Sequence, residues 1–112
     1  MLMNFKLKAH NALLYQEQQV YSDFIDSFDV HYTDFKYHNI IVHIASNQPP
    51  DIIFIAGLLK RSHVHQAKKK SFVVVASEWS INDFPNELVV VPTSQEAEDL
   101  IEMDEMQRDL GF

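Results

Sequence analysis

The residues best placed by type to do chemistry are His63 and His65, which flank Val64. Two histidines one residue apart open the His-x-His-x-Asp-His pattern with which many hydrolases hold zinc, an ion that needs three or four ligands converging on one point. Ala67 and Lys68 stand where the Asp and the second-half His would complete it. The pair also lies in a stretch whose spacing predicts helix, where side chains two apart point about 200° away from each other. The expectation is exposed helix-surface histidines and no metal. His10, His31, His38 and His43 show no ligand spacing.

Other chemistry has as little to build on. The absence of cysteine excludes thiol redox chemistry, thiolate zinc sites, disulfides and a cysteine nucleophile together. Gly57 and Gly111 are the two glycines, and neither sits in a glycine-rich turn that could cradle a phosphate. No Gly-x-Ser-x-Gly elbow marks a serine nucleophile. Lys68-Lys69-Lys70 lacks the extended basic footprint and interleaved aromatics of nucleic-acid binders, in a chain of net charge −7, and reads as a solvated loop. After Thr93 come seven acids (Glu96, Glu98, Asp99, Glu102, Asp104, Glu105, Asp109) against one base, Arg108. A general acid needs one carboxyl desolvated while its neighbour stays ionised, a contrast that so polar a segment does not offer. The sequence indicates no catalytic residue, no metal and no cofactor.

The elements that hold these residues follow from apolar periodicity. Residues 3–8 alternate Met3, Phe5 and Leu7 with Asn4, Lys6 and Lys8, and a turn at His10-Asn11 leads into a second strand over 12–18. Ser22 is expected to cap a helix over 23–35 with the stripe Phe24, Ile25, Phe28, Tyr32 and Phe35. Ile40–Ala45 reads as a strand covered on both faces, and Asp51–Ala67 as a helix with Ile52, Ile55, Ala56 and Leu59 inward. Strands are expected over 72–77 and 88–91, separated by at most one helical turn. Thr93-Ser94-Gln95-Glu96 spells a capping box for a final helix to Leu110, which Gly111 stops. The pattern predicts a single α/β domain over 1–112, a mixed sheet of about five strands packed against three to four helices.

Two segments carry more apolar side chains than one buried helix face can use. With Ile52 and Ile55 inward, Ile53, Phe54 and Leu58 are left to line a surface. Met103, Met106 and Leu110 add a second stripe to the acidic helix beyond Ala97, Leu100 and Ile101. These six residues are expected to form one surface for a protein partner or for self-association. Neither a membrane nor nucleic acid is expected as partner. The start, Met1–Lys8, has no charged leader followed by an apolar run, so the expected location is cytoplasmic.

Lys70-Ser71-Phe72-Val73-Val74-Val75 resembles the strand after the second helix of the STAS domain, the fold of bacterial anti-sigma-factor antagonists. Val89-Val90-Val91-Pro92-Thr93-Ser94-Gln95-Glu96-Ala97 resembles its last strand passing into a capped helix, and Glu102–Phe112 is similar to the tails of short bacterial STAS-like proteins. The resemblance covers about residues 38–112. It implies a non-catalytic regulatory module that docks on a kinase, sensor or enzyme, switched by phosphorylation of a serine in an Asp-Ser-x-Gly turn before the second helix. Here Ser46-Asn47-Gln48-Pro49-Pro50-Asp51 is shorter, has no Asp-Ser pair and no glycine, and offers Ser46 as its phosphoacceptor candidate. The expectation is therefore a binding module without the usual phosphoserine switch. Short proteins of this look also carry a ribonuclease Z label, which implies as the alternative an accessory of that enzyme in tRNA 3′ processing.

Overall fold

Strands covered on both faces need no polar side, and the middle of this sequence supplies two of them. The computed structural model describes residues 3–16, 20–44 and 50–111, and the proposed phosphoacceptor Ser46 lies outside them. Among the described residues one sheet runs in chain order, β1 (Asn4–Lys8), β2 (Asn11–Gln16), β3 (Asn39–Ile44), β4 (Phe72–Val75) and β5 (Val90–Val91). β1 is antiparallel to β2, and the other neighbours are parallel. The central residues Ile40, Ile41, Val42, Phe72, Val73 and Val74 are all buried. Lys6 and Lys8 keep the β1 edge exposed and charged, which discourages further strand pairing. The β1–β2 turn passes through Ala9, whose φ of 54° lies in the left-handed region.

Right-handed crossovers between strands laid down in one direction place successive helices on one face. α1 (Tyr21–Phe35) and α2 (Ile52–Gln66) do share a face, packing Phe24, Phe28, Phe35, Phe54 and Leu58 on Leu14, Ile40, Val42, Phe72 and Val74. The opposite face, on Ile41 and Val73, receives Ala97 and Ile101 of α3 (Ser94–Asp109). A 3₁₀ helix, Glu78–Asp83, links β4 towards β5. α3 starts as its sequence predicts. Thr93 Oγ1 accepts from Glu96 N at 3.2 Å and donates to the Glu96 carboxylate at 3.2 Å, and Gly111 at φ +84° ends the helix. No helix of the described residues is long and apolar enough to cross a membrane.

Three expectations are corrected. Phe54 and Leu58 are core residues, 2% and 0% exposed, so neither stands out as the exposed contact side chain expected of it, although Phe54 helps to line a groove. The N-terminal half of α2 is apolar nearly all round, and two inward stripes compete. The one containing the large Phe54 ring prevails, with Leu58, Ser62 and His65 following at helical spacing, while Ile55 and Leu59 pack at the margin and Ile52 is exposed. Secondly, Ser22 is not the α1 cap. The helix begins at Tyr21, whose ring stacks on Phe54 at 4.2 Å, and this puts Val20 at the N-cap. Thirdly, α2 and α3 occupy opposite faces of the sheet, so Ile53 and the Met103, Met106 and Leu110 stripe do not form one surface within a chain.

Candidate interaction site

Where α1 meets α2, Gly57 faces Ile25 with room for ordinary contact. A Cβ on Gly57 would meet Ile25 Cδ1 at 3.4 Å and Arg61 Nη1 at 3.5 Å. Beside it the Arg61 guanidinium forks onto Asp29 of α1, with Nε donating to Oδ1 at 2.8 Å and Nη2 to Oδ2 at 2.6 Å. Nη1 donates to the Gly57 carbonyl at 3.0 Å, so every arm of this cation is engaged inside the protein. A groove of about 540 Å³ opens at the N-terminal ends of the two helices, lined chiefly by Val20, Tyr21, Ile25, Ile53 and Phe54. It lies beyond the carboxyl ends of β2 and β3, where parallel sheets commonly bind ligands. Tyr21, Ile25 and Phe54 form its less exposed part, while Val20 and Ile53 stand at its edge, 62% and 81% exposed. Asp51 is taken up as the α2 cap, accepting from Phe54 N at 2.7 Å, and Asp26 remains as an exposed carboxylate on the rim.

Of the two histidines that the sequence singles out, His65 is placed for structure. His63 is exposed and His65 buried, so the two point to different environments. His65 Nε2 lies 2.7 Å from the His38 carbonyl, which can only accept, so Nε2 carries the proton. Nδ1 then accepts from the Tyr32 hydroxyl at 2.6 Å, and the Tyr32 oxygen accepts from Lys68 Nζ at 3.2 Å. Burial pushes the His65 pKa below 6.5, the Lys68 and Lys70 charges add to this, and the bond to the His38 carbonyl opposes it. The imidazole is a neutral tie between α1, α2 and the start of β3.

A second polar cluster fastens α3 at the same end of the sheet, where β3 and β4 begin. The buried Asn39 side chain accepts from Ser71 N at 2.9 Å and from Arg108 Nη2 at 3.4 Å, and donates to Asn11 Oδ1 at 3.3 Å. Ser71 Oγ donates to Asp104 at 2.9 Å and accepts from Arg108 Nη1 at 3.3 Å. Two further carboxylates of α3 reach β1 and the turn after it, Glu98 meeting Lys8 at 3.3 Å and Glu105 meeting His10 at 3.1 Å. No group of three metal-ligating side chains converges among the described residues.

Of the residues expected at a contact surface, Ile53, Met103, Met106 and Leu110 are exposed. Val20, Tyr21 and Ile25 were not anticipated at such a surface. The aromatic stripe of α1 accounted for Ile25 as core, and nothing in the local spacing of Val20 and Tyr21 signals a groove that exists only because α2 lies alongside. The burial of His65 had a legible signal, since Phe54, Leu58 and His65 recur at helical spacing.

No protein-family model matches the chain, and no curated protein matches it. The fold has a solved counterpart in the NMR structure of the protein TM1081. That structure is 12% identical, with a TM-score of 0.70 over 91% of this chain and 90% of the other. At this identity the shared property is the fold, an α/β mixed sheet of five strands with three helices.

Proposed function

We propose that this protein is a non-catalytic interaction module of the regulatory, cytoplasmic kind that the STAS resemblance implies, and that a protein partner docks in the groove between the N-terminal ends of α1 and α2. The observation that carries this reading is Val20. Valine is among the poorest N-cap residues because it leaves the first-turn amides without a side-chain acceptor, and Val20 makes no cap bond. It is also exposed and lines a largely apolar groove that Ile53 lines too. A position that sacrifices helix stability for an exposed aliphatic side chain fits a contact residue. The groove's polar neighbours favour binding over catalysis, since Arg61 and Asp51 are committed to internal bonds.

The test is affinity capture from an extract of the protein's own cells, with wild type and Val20→Asn in parallel. The module reading expects one protein held in near-equal amount by wild type and lost with Val20→Asn, although the variant melts higher. Equal capture by both would remove the groove from the mechanism.

A further inference from the structure

The two exposed helix faces that cannot meet within one chain complement each other between chains. On α3 the residues Asp99, Met103, Met106 and Leu110 share one stripe, opposite the buried Ala97 and Ile101, with Glu102 and Asp109 along its side. On α2 the exposed Ile53, Lys60 and Val64 share a stripe about 120° round the helix from Phe54, Leu58 and His65, on the flank that borders α1. Each stripe runs over twelve residues, about 16 Å from first to last at the rise of an α-helix. One is acidic and methionine-bearing, the other aliphatic and basic. Beyond the C-terminal end of α2 the Lys68-Lys69-Lys70 run continues the positive charge.

We propose that copies of this chain associate head to tail, the exposed Ile53, Lys60 and Val64 flank of α2 in one copy packing antiparallel on the outer face of α3 in the next. In that arrangement Ile53 meets Leu110 and Met106, Lys60 meets Glu102, Val64 lies beside Met103, and the lysine run comes over Glu96 and Asp99. Antiparallel packing also sets the helix dipoles in their favourable relation. Because the two faces lie on opposite sides of the sheet, the contact is between different surfaces of the two copies, and each copy keeps a free face of each kind for a further neighbour. Two four-turn helices bury less than a permanent interface requires, so the association depends on concentration and, through Lys60 and Glu102, on salt. This inference shares Ile53 with the groove reading, and Val20→Asn tells the two apart, because it changes the groove and leaves the α2 and α3 stripes as they are.

Sedimentation velocity over a concentration series, at low and high salt, tests it with two pairs of variants. Wild type is expected to rise above monomer mass with concentration at low salt and to fall back at high salt. Val64→Asp and Met106→Asp, both at exposed positions and melting as wild type does, each remain monomeric alone. Mixed in equal amounts they form a one-to-one dimer and nothing larger, because each supplies the face that the other lacks. Lys60→Glu and Glu102→Lys each weaken association, and the two combined in one chain restore it. A wild type that stays monomeric throughout, a mixture that stays monomeric, or variants that associate as wild type does would each overturn the proposal.

Discussion

His65 is neutral because both of its nitrogens are committed and water is excluded, and this makes the fold sensitive to acid. Its pKa in the folded protein lies below the unfolded value of 6.5, so as pH falls the unfolded chain takes up the proton first. Stability from this group is complete above pH 6.5 and declines below it. Thermal melts from pH 8 down to about pH 5 are expected to fall more steeply for wild type than for His65→Asn, and parallel curves would contradict the assignment. Ser62 makes the opposite kind of forecast. Its hydroxyl is buried without a partner, a state that costs about 1–3 kcal/mol, so Ser62→Ala should gain about 1 kcal/mol and raise Tm by about 4 °C. Val20→Asn supplies the missing cap of α1 and should add about 0.5–2 kcal/mol in denaturant titration while removing an apolar side chain from the groove.

At the level of elements, α2 decides which apolar side chains belong to the core. Phe54→Ala is expected to lose about 3–5 kcal/mol, as a buried aromatic does, whereas Ile53→Ala should stay within about 0.5 kcal/mol of wild type in the same urea titration. Equal losses would mean that α2 is rotated from its described position. The order of elements was legible because each depends on local information: the β-branched runs Ile40–Val42 and Phe72–Val75, the Thr93 and Glu96 capping box, and the Gly111 stop. The rotation of α2 was not, since inward stripes through Ile52 and Ile55 or through Phe54 and Leu58 satisfy the same helical period. Only packing against α1 and β4 chooses between them. The α1 start shows the same limit, where a stack between Tyr21 and Phe54 outweighs the better capping chemistry of Ser22. The candidate site was half legible for the same reason, since Ile53 announces itself by its excess while Val20 and Tyr21 acquire their meaning from a neighbouring helix.

For the whole molecule the sheet separates two surfaces. Its α1 and α2 side carries the groove, and its α3 side carries the excess of carboxylates after Thr93. Polar side chains tie the layers together, His65 on one side of the sheet and Asn39, Ser71, Asp104 and Arg108 on the other. Among the described residues, a largely apolar recess at the carboxyl ends of β2 and β3 carries two aliphatic side chains at its lip, which is the basis for proposing a protein partner there. Amide hydrogen exchange on the complex with the captured partner tests that assignment most directly. Exchange is expected to slow in 20–26 and 51–57, at the N-terminal ends of α1 and α2, with β1 unchanged. Unaltered exchange in both of those segments, with protection appearing elsewhere, would contradict the groove as the docking site.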